Sequence, residues 1–388
     1  MSPRCTLNAA LMLALTAGLL AGGAAPAQAQ VKIGATLSAT GPQASLGIPE
    51  RNTVSLLPAE IGGAKVEYVV LDDASDPTRA VSNSHKLISE NKVDLIIGSS
   101  TTPNTMAMLD TVAAGATPVI TLASSARLIE PMDDKRRWVF KTPHSDSLMA
   151  EGIARHAAAQ GVKKLAFIGF NNALGETFWV EVEKAAKKHG IELVGKESFA
   201  PTDTSAVAQT LKLVGAAPDA VVVGASGTPA AMPARALRER GYQGKIYFNH
   251  GVANNDFLRV CGAACEGAWV PVGPVMVAGL LPDSHPVKAS AQAFAAKYEA
   301  VHGAGSVSLF AAYTWDVGLL LQQAVPVALK AAKPGTPEFR AALRDALENV
   351  KNLPTATGVV NMSPADHNGL DERALVMATV AGGKWRVQ

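Results

Sequence analysis

Val93-Asp94-Leu95-Ile96-Ile97-Gly98-Ser99-Ser100-Thr101-Thr102-Pro103-Asn104-Thr105 runs from an apolar segment, through four hydroxyl side chains, to a threonine followed by proline. The apolar part predicts a buried strand over 94–98. Thr102 supplies a capping oxygen and Pro103 a pre-set first helical residue, so a helix is expected over 104–114. The unit is strand, polar loop, helix. Outward from it the same rhythm recurs, with strands expected at 31–36, 66–71, 117–121, 164–169, 192–197, 219–224 and 245–249. Helical apolar spacing covers 77–91, 147–160, 176–189, 207–214 and 230–240. Thr228 before Pro229 repeats the cap signal. Such alternation implies an α/β chain with parallel-rich sheets flanked by helices.

After residue 265 the rhythm weakens. Pro271, Gly273, Pro274, Pro282 and Pro286 predict a crossing between two bodies near 270–276. Helices are expected over 287–302, 310–331 and 337–349, then a terminal hairpin of 358–361 with 374–380 around Asn368-Gly369. The length suits two lobes rather than one core. At the N-terminus, Arg4, an Ala- and Leu-rich run and Ala27-Gln28-Ala29 read as a secretory signal peptide over 1–29, which places the mature protein in the periplasm. Cys5 would leave with that leader, and no lipid-accepting cysteine stands at the cleavage site.

The chain has 35 basic and 33 acidic residues, a balance that gives no reason to expect nucleic acid or an anionic membrane as partner. Cys261 and Cys265 are then the remaining cysteines. Their spacing closes a short loop of small residues, and a local disulfide is expected in an oxidising compartment. A zinc site lacks further ligands nearby, and a redox pair more often reads Cys-x-x-Cys. No nucleophile elbow, phosphate loop, dinucleotide fingerprint or His-Glu-x-x-His occurs, so no catalytic residue, metal ligand or cofactor is assigned. His85, His144, His156, His189, His285, His302 and His367 are read as surface or structural residues.

Ser99, Ser100, Thr101 and Thr102 exceed the needs of one helix cap. Neutral hydroxyls and free helix-start amides together suit a carboxylate. Ala123, Ser124 and Ser125, after the next strand, offer a second set of donors on the same sheet edge, where ligands gather in open parallel sheets.

Ile33-Gly34-Ala35-Thr36-Leu37-Ser38-Ala39-Thr40-Gly41-Pro42, Asp72-Asp73-Ala74-Ser75-Asp76-Pro77 and the two hydroxyl-rich loops resemble the leucine/isoleucine/valine-binding family of periplasmic receptors over essentially the whole mature chain. The resemblance implies a type I periplasmic-binding fold with three interlobe crossings, near 143, 275 and 352. Lobe 1 would comprise 30–143 plus 276–352, and lobe 2 would comprise 144–275 plus 353–388. It implies a monomeric solute-binding protein that closes on a small carboxylate and presents itself to the membrane permease of an ABC importer. A membrane sensor is the alternative recipient, and an exported hydrolase lacks a catalytic set.

By the same resemblance, 99–102 and 123–125 would grip the carboxylate. Phe170 and Leu174, Ser226, and Asn249 with His250 would close from the other lobe, with Phe310 lining the pocket. One departure matters. Amino-acid-binding members carry a glutamate where this chain has His250, and that glutamate pairs with the ligand ammonium. Without the anion, burying an ammonium is costly, which favours an aromatic or other non-amino acid over a branched-chain amino acid. Members that take up aromatic acids resemble this chain in 249–257 and 281–286.

Overall fold

The computed structural model describes residues 30–387; segment 1–29, where a signal peptide is expected, lies outside them. The strands in chain order are β1 (Gln30–Leu37), β2 (Glu60–Ile61), β3 (Ala64–Asp72), β4 (Leu95–Gly98), β5 (Val119–Thr121), β6 (Val139–Lys141), β7 (Lys164–Phe170), β8 (Glu192–Phe199), β9 (Ala220–Gly224), β10 (Lys245–Phe248), β11 (Trp269–Val272), β12 (Leu353–Pro354), β13 (Val359–Val360), β14 (Val376–Ala381) and β15 (Lys384–Val387). They form a six-stranded sheet in the order β2-β3-β1-β4-β5-β6 and a seven-stranded sheet in the order β15-β14-β11-β10-β9-β7-β8, with β12 and β13 as a separate pair.

The central strands pair in parallel, and β1, β4 and β9 are buried on nearly all positions. That is why they read as continuous apolar runs rather than alternating ones: helices cover both faces. In the first sheet, β1 sits between β3 and β4. This brings the loops after β1, β3 and β4 to one edge. The helix Leu309–Ala331 packs on the helix Ala44–Val54 and thereby on the first sheet. Ser308 caps it, its Oγ accepting from the Ala311 N–H at 3.1 Å.

Several local expectations are corrected. The helix after β4 begins at Thr102, with Thr101 at the cap position and no side-chain cap bond from either. Gly227, at φ 65°, precedes a short 3-10 turn Thr228–Ala230, and Thr228 caps nothing. The terminal hairpin is β14 with β15 around Gly382-Gly383, and β13 instead pairs with β12. The prolines near 271 do not exclude a strand: β11 contains Pro271. A proline has no N–H to donate, and β11 meets β10 through one registered pair, Tyr247 with Trp269, before pairing with β14.

Candidate ligand-binding cleft

Glycine sets the approach to the first loop. Gly98 has φ 110°, and a Cβ there would lie 2.1 Å from the Thr36 carbonyl oxygen, so no larger residue fits. The four hydroxyls that follow divide their work. Ser99 Oγ donates to Asp73 Oδ2 at 2.6 Å, and Asp73 also accepts from Ser38 Oγ at 2.7 Å; this ties three loops together, and Ser99 is not in the cavity wall. Ser100 Oγ accepts from the Ser38 N–H at 2.9 Å and meets Glu50 in a short hydrogen bond. Burial pushes the Glu50 carboxyl well above its usual range, against the Ser100 bond, and so disfavours its ionised form. The hydroxyls of Thr101 and Thr102 are buried and have no protein partner.

Ser100, Thr101 and Thr102 face Leu46, Ala123, Ser124, Leu174, Ser226, Asn249, His250 and Phe310 around a small cavity. A second small cavity shares Thr101, Leu174 and Ser226 and adds Gln43, Phe170 and Asn172. Eleven of the thirteen residues named from the sequence thus line two adjoining cavities: ten the first and Phe170 the second. Ser99 and Ser125 do not. Ser125 Oγ accepts from the Arg127 N–H at 3.3 Å and caps a 3-10 turn. Ala123 lines the cavity, but its N–H donates to Thr121 Oγ1 at 3.2 Å. A larger groove between the helices Leu309–Ala331 and Pro337–Glu348 lacks the converging unpartnered hydroxyls and is set apart from these loops.

The far wall is built by the loops after β9 and β10. A Cβ on Gly251 would meet Asn249 Oδ1 and Ser226 Cβ, each at 2.7 Å, so these two loops touch because that residue is glycine. Asn249 Oδ1 accepts from the Gly251 N–H at 2.8 Å, leaving its buried Nδ2 without a partner. Ser226 does different work: its Oγ donates to Gln43 Oε1 at 2.6 Å and its carbonyl accepts from Gln43 Nε2 at 3.4 Å. That pair bridges the loop after β1 and the loop after β9.

Three residues behind the walls carry no sequence signal. Lys141, at the end of β6, is wholly buried, and its Nζ donates to the Ser124 carbonyl at 2.6 Å and to Ser145 Oγ at 3.0 Å. Burial lowers its ammonium to about 8, opposed by Asp146, Glu130 and Asp366, so it remains a cation at pH 7 directly behind the 123–125 loop. Tyr313 Oη lies 2.8 Å from His144 Nδ1 and in a short hydrogen bond with His250 Nδ1. His144, assigned no role from sequence, also bonds the Ala374 carbonyl through Nε2. Burial, with the nearby His144 and Lys141, holds the His250 imidazole well below its ordinary value, and burial lowers His144 to about 4. Both rings are neutral at pH 7.

Cys261 and Cys265 are joined, with Cα atoms 5.7 Å apart. Among the described residues no three potential metal ligands cluster, and no helix is long and apolar enough to cross a membrane.

A family model described as periplasmic binding protein matches residues 30–384. A Leu/Ile/Val-binding protein of Rhizobium johnstonii is 28% identical over 366 residues, covering 92% of each chain. The crystal structure of an extracellular ligand-binding receptor from Rhodopseudomonas palustris HaA2 is 45% identical, with TM-score 0.90 over 93% of this chain and 100% of that one. A solute-binding protein of R. palustris in complex with benzoate shares the fold, at 22% identity and TM-score 0.80 over 92% and 95% of the two chains. With a two-sheet α/β architecture and a family match across nearly every described residue, this chain belongs to the periplasmic binding proteins, as a solute-binding protein of the Leu/Ile/Val-binding type.

Proposed function

We propose that the cleft binds a small carboxylate without an α-ammonium, an aromatic acid foremost, and that the loaded protein delivers it from the periplasm to the membrane permease of an ABC importer. The observation that carries the reading is the chemistry of the wall. Buried, unpartnered hydroxyls of Thr101 and Thr102 stand at the start of the 13-residue helix Thr102–Ala114, where free amides and the helix dipole favour an anion. The Lys141 cation lies behind the adjoining loop. At the other end, among the described residues, no Asp or Glu lines either cavity. His250 stands there neutral, and burial disfavours the ionised form of the Glu50 carboxyl behind Ser100. A bound ammonium would lose its hydration without gaining a counter-charge. Phe170, Leu174 and Phe310 add apolar surface for a ring.

The two lobes in this reading are 30–143 plus 276–352 and 144–275 plus 353–388, and the Gln43–Ser226 pair helps to hold them closed. The protein acts as a monomer that is exported by its leader. A thermal-shift screen of benzoate, related aromatic acids and the branched-chain amino acids tests it. A ligand at one hundred times its Kd adds about 2.7 kcal/mol of apparent stability. Stabilisation by an aromatic acid and not by leucine is expected; stabilisation by leucine alone overturns the reading.

A further inference from the structure

The proton arrangement around His250 can be followed atom by atom from one fixed end. The Ala374 carbonyl only accepts, so His144 Nε2 carries a proton and donates to it. His144 is neutral and buried, so its Nδ1 is the unprotonated nitrogen and accepts from the Tyr313 hydroxyl at 2.8 Å. Tyr313 has then spent its single proton. Its oxygen meets His250 Nδ1 as an acceptor, which makes His250 the donor at Nδ1. A neutral imidazole protonated at Nδ1 has a lone pair at Nε2. Among the described residues no hydrogen bond reaches that nitrogen, and His250 lines the cavity.

We infer that Tyr313 and His144 are positioning residues that hold His250 in its Nδ1–H form, so that the cleft offers a hydrogen-bond acceptor and selects carboxylates that carry a hydroxyl on the carbon next to the carboxylate, where an amino acid would carry its ammonium. The inference rests on the carboxylate reading above for the class of ligand, but the relay itself does not. A hydroxyl satisfies Nε2 without bringing a charge. A ligand with an apolar or ether group there leaves a buried acceptor dry, which is the asymmetry by which sites built for a hydroxyl reject its absence. Isolated imidazole prefers no such orientation of its protons; the chain Ala374, His144, Tyr313 imposes it.

Two measurements separate the parts. Nitrogen-15 NMR of histidine-labelled protein without ligand should show His250 protonated at Nδ1 and unprotonated at Nε2, with that signature lost or reversed in Tyr313→Phe. A proton on Nε2 in the unmodified protein overturns the relay whatever the ligand proves to be. Calorimetry would then compare α-hydroxy, α-methoxy and unsubstituted members of the phenylacetate and 3-phenylpropanoate series. The hydroxy acid should bind about tenfold or more tighter than its two counterparts in at least one series, and Tyr313→Phe should cut that ratio below about threefold. Equal affinities within both series overturn the hydroxyl preference. If none of these acids binds and leucine does, the carboxylate reading and the hydroxyl preference fall together, while the NMR result still decides the relay.

Discussion

Replacing His250 with glutamate would return to the cleft the anion that its amino-acid-binding relatives are expected to use. His250 is 4% exposed and faces a cavity without an acidic side chain among the described residues. Removing one partner of a buried ion pair costs roughly 3–5 kcal/mol. The unmodified protein therefore forgoes an interaction of that order with any α-ammonium. His250→Glu should recover only part of it, because the new carboxylate loses the Tyr313 contact and must itself be desolvated. A gain of about 2–4 kcal/mol for leucine corresponds to roughly 30- to 900-fold in Kd. Neighbouring Lys141, still a cation at pH 7, favours the ionised glutamate before ligand arrives. Calorimetric titration of leucine and of benzoate into His250→Glu, His250→Gln and the unmodified protein gives the answer. His250→Gln is the control, since it alters shape without adding charge and should gain nothing for leucine. A folded His250→Glu whose leucine affinity stays within threefold of the parent, about 0.7 kcal/mol, would refute the reasoning, as would an equal gain in His250→Gln.

Three further outcomes are expected. Gln43→Ala removes both bonds to Ser226 across the cleft; at about 0.5–1.5 kcal/mol each, ligand affinity should fall roughly 5- to 160-fold, mostly through faster release. Unchanged release kinetics would contradict the bridging role. Lys141→Met removes a buried cation behind Ser124, and a single charge acting over about 8–12 Å at an effective dielectric near 20 is worth roughly 1–2 kcal/mol. Carboxylate binding should weaken by that amount while the melting temperature holds or rises, because the buried charge itself was costly. Acid stability tests a pair of opposed groups. The His144 imidazole is lowered to about 4, so between pH 6.5 and 4 the unfolded chain takes up a proton that the folded chain refuses, and stability falls by up to about 3 kcal/mol. Asp316 is raised to about 6 by burial, so from pH 6 down to 3.8 the folded chain takes up its proton first and gains a similar amount. Asp316→Asn removes the gain, and its melting temperature should drop more steeply between pH 6 and 4 than the parent's; parallel slopes would contradict this.

The β-α rhythm was legible because strands such as β4 and β9 are buried on both faces and cannot tolerate polar residues. The first polar loop was legible for the converse reason: four hydroxyls in a row exceed what one helix start uses, and two of them indeed remain unpartnered. Its detail was not. Ser99 and Thr101 are both hydroxyl side chains two positions apart, yet Ser99 turns to Asp73, 26 residues away, and that choice depends on strand order. The same limit hid Lys141, Gln43, His144 and Tyr313. Gln43 meets Ser226 across 183 residues and His144 meets Tyr313 across 169, so no local pattern marks either. The terminal hairpin was misread because 358–361 and 374–380 both look like strands, whereas β14 finds its partners in β11 and β15. His250 was found by its departure from a family pattern, not by its surroundings.

The most direct test of the account is a crystal structure of the protein with its tightest-binding acid. The account predicts the carboxylate against Ser100, Thr101, Thr102 and Ser124, the lobes closed with Gln43 on Ser226, and an uncharged group of the ligand facing His250. An α-amino acid in that cleft, with its ammonium against His250, would contradict it.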